Sequence, residues 1–294
     1  MLVGVLCAIG AAVCYGTNPL GALNLYAEGM NTPSVLFYRF GLAWIIVAGV
    51  MGVKALMRHE SLRVTRRELR TLLALGLLFI ASSLTLYLSF RYMPAGVAST
   101  ILFTYPVMTA VIMLLFFREP IRIPTVLSIV LSLVGVLLLY WGDADGGTLN
   151  PWGVVLVLVS ALTYALYIIV VDKSPLAMSS FKINFYVLFC CAVGMALFAL
   201  VSGQSLQLPP TGRAWLWVSW LAVVPAIMAL VMMVYAAKYL GSTPTAILGA
   251  LEPTTAVLIG IFVFGEPFGP RLLVGILLIL AAVILVVLSK ARRS

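Results

Sequence analysis

Charge is scarce in this sequence. Asp, Glu, Lys and Arg together make 9% of its 294 residues, against about a quarter in a water-soluble domain. With 63% hydrophobic residues and a mean hydropathy of +1.16, the chain lacks the polar surface to face water on all sides. A soluble globule is excluded, and lipid is the expected solvent for most of it. Histidine is rarer still: His59 stands alone, no H-E-x-x-H metal motif exists, and no Walker-type phosphate loop is present. These absences argue against an intramembrane metalloenzyme and against direct ATP use, so no catalytic residue, metal or cofactor is expected. The four cysteines, Cys7, Cys14, Cys190 and Cys191, all lie in apolar runs. Cys190 and Cys191 are adjacent and poorly placed to pair, which makes packing their reading. The first apolar run lacks a basic n-region and an A-x-A end, and carries Tyr15, Asn18 and Pro19; it reads as a membrane helix, not a signal peptide.

Long apolar runs are what the sequence does have. A spanning helix needs about 20 mostly apolar residues. Breakers and charge clusters then divide the chain into spans 2–22, 33–54, 69–91, 94–117, 121–141, 151–171, 181–202, 213–237, 243–264 and 267–289. Thr32-Pro33, Asn150-Pro151 and Thr243-Pro244 each place a capping side chain before a proline at the first helical position. Thr65 with Glu68 forms a capping-box pattern. The net charge of +9 would suggest nucleic acid in a soluble protein; here the basic residues sit in loops, so no nucleic-acid partner is expected. Lys54, Arg58, Arg63, Arg66, Arg67, Arg70, Arg118, Arg122, Lys173, Lys182, Lys238, Lys290, Arg292 and Arg293 fall on one side. Only Arg91, Arg213 and Arg271 fall on the other. The positive-inside rule therefore puts both termini in the cytoplasm. The stretch from Lys54 to Arg70 is a topology anchor that can also touch anionic lipid.

The sequence also repeats itself. Residues 91–120 read RYMPAGVASTILFTYPVMTAVIMLLFFREP, and residues 238–267 read KYLGSTPTAILGALEPTTAVLIGIFVFGEP. At an offset of 147, Tyr92 meets Tyr239, Pro106 meets Pro253, Phe117 meets Phe264, and Glu119-Pro120 meets Glu266-Pro267. That offset is half the chain length. The expected units are residues 1–146 and 147–294, each with five spans. An odd number of spans inverts the second unit in the membrane, an architecture in which carriers hold their substrate near the midplane between the halves. The fold class expected is all-α and membrane-integral: ten helices as two inverted five-helix repeats around a central cavity.

Several landmarks carry a family resemblance. Ala11-Ala12 through Tyr15-Gly16-Thr17-Asn18, Phe37-Tyr38-Arg39-Phe40 with Ala43, the mid-helix Pro106 and Pro253, and Gly265-Glu266 with Gly275 resemble the drug/metabolite transporter superfamily in its EamA-type ten-helix branch. The likeness extends over essentially the whole chain. Two positions depart from it: Arg118 replaces the glycine before Glu119, and Ser128 stands opposite Gly275. Within the branch the chain is most similar to bacterial aromatic amino acid exporters of the YddG type. The resemblance implies export of aromatic amino acids and similar compounds across an inner membrane. A monomer or weak homodimer in the lipid bilayer is expected.

Two charged residues lie away from the span ends, within the spans. Arg39 lies about 9 Å into span two, and Glu252 near mid-depth of span nine. Each is costly in lipid and must face a cavity or a partner. Glu252 reads as a substrate-amine contact or protonation site, or as a neutral carboxyl bonded to a neighbouring helix. Arg39 reads as a structural clamp, with a substrate carboxylate as the alternative. Pro19, Pro106, Pro225 and Pro253 free the carbonyls of Tyr15, Leu102, Leu221 and Gly249, and are candidate hinges. Tyr15 and Asn18 share one helix face, as do Tyr164 and Tyr167. Ser83, Tyr87 and Arg91 share a face of span three, and Tyr105 precedes Pro106. With Tyr235 and Glu252, these tyrosines and Asn18 are the candidate lining of a substrate cavity. Trp141, Trp152, Trp215 and Trp217 read as interfacial anchors. The function expected is alternating-access transport of a small organic solute. A broad exporter of drugs or organic cations is the rival, and a channel or receptor the alternative of another class.

Overall fold

The computed structural model describes residues 2–58, 63–117, 123–141, 149–174, 178–240, 248–249, 251–266 and 269–291. Expectations attached to His59, Arg118 to Arg122, the Thr243-Pro244 cap, Pro267, Arg292 and Arg293 fall outside these residues. The described chain is all-α. Its helices are α1 (Leu2–Gly16), α2 (Asn18–Ala27), α3 (Thr32–Arg58), α4 (Arg66–Ser89), α5 (Ala95–Leu102), α6 (Tyr105–Phe117) and α7 (Ile123–Trp141). They continue with α8 (Pro151–Lys173), α9 (Ser180–Val201), α10 (Gly212–Leu221), a π-helical segment (Ala222–Met228), α11 (Ala229–Leu240), α12 (Leu251–Phe264) and α13 (Pro270–Ala291).

Among the described residues, seven helical stretches are long and apolar enough to cross a bilayer, and Val126–Leu138, Leu251–Phe264 and Pro270–Leu285 are shorter apolar helices. Side chains such as Leu77, Phe116 and Phe262 are exposed on the outside of the bundle, where only lipid makes such a surface favourable. Inside, small residues set the spacing. Gly4, Ala8, Ala11, Ala12 and Gly16 bury one face of α1. A Cβ on Gly135 of α7 would fall 2.9 Å from the Gly275 carbonyl oxygen of α13, so Gly135 supplies the close approach despite Ser128 standing opposite Gly275. The Ser128 hydroxyl turns back to the Pro124 carbonyl at 2.6 Å.

Local capping follows the sequence with one correction. Asn150 accepts from the Trp152 N–H at 2.9 Å, and Thr65 and Glu68 form a reciprocal capping box. At α3 the cap is Asn31, whose Oδ1 accepts from the Ser34 N–H at 2.9 Å. Thr32 is already helical, and its hydroxyl bonds that of Tyr26 at 3.1 Å.

The helices pair in a regular way. α3 packs on α9, α5 on α12, and α7 on α13; α4 packs on α8, and α1 on α11. One end of the bundle gathers the 28–34 turn, the 203–211 strap, the α4–α5 turn and Glu266. There the Asn31 side-chain amide donates to the Ser205 carbonyl (2.9 Å), the Gln207 N–H to Ser34 Oγ (2.8 Å), and the Thr211 hydroxyl to Glu28 Oε2 (2.9 Å). At the other end the Lys182 ammonium donates to the Arg63 carbonyl at 2.8 Å. Span-crossing helices run between these two ends, and the site lies between them.

Candidate functional site: an aromatic cavity between broken helices

Each candidate proline coincides with a departure from regular α-helix. Pro19 is the second residue of α2, just after the break at Thr17 that separates α1 from α2. Pro106 is the second residue of α6, after the Phe103-Thr104 turn, and Pro253 the third residue of α12. Pro225 sits within the π-helical segment, where wider i→i+5 bonding accommodates a missing N–H. Two of the carbonyls expected to be free are occupied. Tyr15 C=O accepts from Asn18 Nδ2 at 2.8 Å, and Gly249 C=O from the Glu252 N–H at 3.0 Å. A buried carbonyl abandoned by one donor is costly and takes another within reach.

The breaks surround a cavity of about 540 Å³. Tyr15, Asn18, Arg39, Tyr87, Tyr105, Tyr164, Tyr167, Pro225 and Glu252 all contribute to its wall. Tyr105 meets Tyr164 edge-to-face at 4.8 Å, and Tyr164 stacks on Tyr167 at 6.0 Å and 5°. Phe79 approaches both Tyr164 (6.4 Å) and Tyr167 (5.3 Å), and Phe40 lies 5.9 Å from Phe79. These rings form a continuous aromatic wall drawn from α3, α4, α6 and α8. Among the described residues no hydrogen-bond partner meets the hydroxyls of Tyr15, Tyr105, Tyr164 and Tyr167, nor the Glu252 carboxyl. Groups left in this way inside a protein face a polar ligand or water.

Tyr235 is a correction. It is 49% exposed and stacks on Tyr239, one turn on, at 6.4 Å and 11°, away from the cavity. The π-helical segment widens one turn, so a 3.6-residue projection carried through it points Tyr235 the wrong way. The wall also holds residues that the sequence reading did not single out for it, notably Phe40, Phe79 and Asn184. Phe79 was within reach: Ser83 and Tyr87 share a face of α4, and one more step of four toward the N-terminus gives Phe79.

A polar chain closes one end of the cavity. Arg39 Nη1 donates to the Tyr87 hydroxyl, which donates to Asn18 Oδ1 at 3.3 Å. Above this chain Tyr26 donates to the Tyr87 carbonyl at 2.9 Å, and Arg91 lies 5.0 Å over the Tyr26 ring. In the other direction the wall extends to Val171, near the end of α8, and Phe181, near the start of α9. The cavity thus reaches toward the Arg63–Lys182 end and is shut at the strap end. Close backbone approach sets its width: a Cβ on Gly16 would fall 2.7 Å from the Glu252 carbonyl oxygen. Nothing in this wall resembles a nucleophile with its base, and among the described residues no group of three or more His, Cys, Asp or Glu could hold a metal.

A bundle of apolar helices, broken at prolines around a closed-ended aromatic cavity, belongs to the class of polytopic membrane transport proteins. The EamA-like transporter family profile matches residues 2–141 and again residues 151–288; the chain belongs to that family. It is similar to an uncharacterized transporter of Archaeoglobus fulgidus, 27% identical over 277 residues and 94% of each chain. It is also similar to the uncharacterized inner membrane transporter YedA of Escherichia coli, 24% identical over 249 residues, 83% of this chain and 79% of that one. One solved crystal structure superposes with a TM-score of 0.68 at 17% identity, covering 99% of this chain and 98% of the other. That likeness concerns the fold alone.

Proposed function

We propose that this chain is a secondary transporter working by alternating access, an exporter of aromatic and other amino acids or similar metabolites. The observation that carries the reading is the aromatic cavity, closed at one end and lined by hydroxyls and a carboxyl without partners among the described residues. Tyr15, Asn18, Tyr87, Tyr105, Tyr164, Tyr167 and Glu252 are its substrate contacts, and the breaks at Pro19, Pro106, Pro225 and Pro253 are its hinges. The architecture proposed is ten spans in two inverted five-helix halves, both termini cytoplasmic in a bacterial inner membrane. The helix pairing supports it. Under exchange of halves, α3/α9, α5/α12 and α7/α13 map onto themselves, while α4/α8 maps onto α1/α11. The family profile matching twice supports the same division, as does Tyr105 standing 147 residues before Glu252, both on the cavity wall.

Counterflow in proteoliposomes tests the function. Phenylalanine and tryptophan should exchange with saturation and a half-saturation on the order of 0.1–10 mM, about 3–5 kcal/mol of binding, since a carrier must release what it binds. A non-saturating flux means a pore. The Glu252 carboxyl, unpartnered among the described residues, favours one second reading, export of organic cations; exchange of small aromatic cations without aromatic amino acids would establish it.

A further inference from the structure

Arg39 is 7% exposed, and no carboxylate among the described residues pairs with it. Its guanidinium lies 5.5 Å from the Phe40 ring centre and 5.4 Å from that of Tyr87. Nη1 donates to the Tyr87 hydroxyl, whereas Nε is enclosed without a partner among the described residues. A cation removed from water with no carboxylate in contact is strongly unfavourable, and two ring faces with one hydroxyl offset only part of that. A structural clamp would show a carboxylate or backbone carbonyls around the fork, and neither is present among the described residues. The Tyr87 hydroxyl donates its own proton to Asn18, which keeps its lone pair toward Arg39 and orients the fork at the shut end of the cavity. Among the described wall residues Arg39 is the sole cation and Glu252 the sole acid. One charge of each sign suits a monoanion or zwitterion, and is too little for a phosphate dianion.

We propose that Arg39, oriented by Tyr87, is the anion site of this cavity: the transported molecule carries a carboxylate that docks on the guanidinium, with its apolar body against the Phe79–Tyr167 rings. An amine on the same molecule faces Glu252. This assignment rests on the carrier reading and names its specificity-determining residue.

Counterflow with L-phenylalanine, phenethylamine and 3-phenylpropionate separates the contributions in wild type, Arg39→Gln and Arg39→Lys. Wild type should prefer phenylalanine to phenethylamine by tenfold or more in half-saturation, about 1.4 kcal/mol. Arg39→Gln should erase that preference, and Arg39→Lys should restore part of it. Tyr87→Phe, which removes only a hydroxyl, should raise the half-saturation of the two carboxylates by a larger factor than that of phenethylamine. That variant carries the test if Arg39→Gln does not insert. The assignment is overturned if phenethylamine competes as well as phenylalanine in wild type. It is equally overturned if Arg39→Gln lowers all three fluxes with unchanged half-saturation ratios, or if neither carboxylate exchanges. Exchange of 3-phenylpropionate without phenylalanine would keep Arg39 as the anion site and remove the amino acid reading.

Discussion

Replacing Gly16 by alanine should widen the cavity by forcing apart the two helices that set its width. The added Cβ would lie 2.5 Å from Thr255 Cβ and 2.7 Å from the Glu252 carbonyl oxygen. Ordinary contact begins near 3.4 Å, so α1 and α12 must separate by roughly 0.7–0.9 Å, and the obstacle includes backbone that cannot rotate away. Overpacking of this kind costs about 1–3 kcal/mol. The shift also moves Tyr15 and Glu252 relative to each other, so both stability and recognition should suffer. Gly41 is the matched control, since a Cβ there meets nothing within 4 Å. Thermal unfolding of purified protein and the half-saturation for phenylalanine counterflow are the two readouts. Gly16→Ala should lower Tm and raise the half-saturation several-fold, while Gly41→Ala leaves both near wild type. If the two variants behave alike in both assays, the close approach of α1 and α12 does not shape the cavity.

Phe79→Ala removes ring contacts with Tyr164 and Tyr167, worth about 0.5–1.5 kcal/mol each beyond area, and should raise the half-saturation for aromatic substrates several-fold. Tyr235→Ala should not, and an equal effect in counterflow would contradict the cavity wall. Replacing Pro106 and Pro253 together with alanine should restore backbone donors at both breaks and lower turnover more than protein yield; unchanged counterflow would reduce the prolines to packing. Glu266 caps α5, accepting from the Ala95 N–H at 2.6 Å and the Gly96 N–H at 3.1 Å, so Glu266→Gln should cost on the order of 1 kcal/mol in thermal unfolding. Gly260→Ala, whose Cβ would fall 2.1 Å from Glu266 Oε2, should do the same, and an unchanged Tm in both would dismiss the cap.

The helices were legible because hydropathy and breakers act locally. Thr65 with Glu68 and Asn150 with Pro151 mark starts that the structure keeps. The wall of the site was legible to the extent that helical facing reaches: Tyr15 with Asn18, and Tyr164 with Tyr167, line the cavity as their spacing requires. What spacing alone did not supply is long-range geometry. Phe40 and Phe79 look like any apolar ring of a membrane helix until α3, α4 and α8 are brought together around them. Tyr235 lies beyond a π-helical turn that no count of 3.6 residues anticipates. Proline announces a missing donor, but not which neighbour replaces it, and Asn18 and Glu252 fill two of those vacancies. Arg39 is the reverse case: its depth was readable, whereas the lack of a carboxylate partner for it among the described residues emerges only once the bundle is assembled.

Alternating access requires one cavity to be reached from the two faces of the membrane in turn. A cysteine at Ser83, which lines the cavity, in a background without Cys7, Cys14, Cys190 and Cys191, can be labelled with an impermeant maleimide from either side of sealed vesicles. Alternating access predicts labelling from both sides, with saturating phenylalanine raising one rate at the expense of the other. Labelling from one side only, at a rate indifferent to substrate, would contradict it.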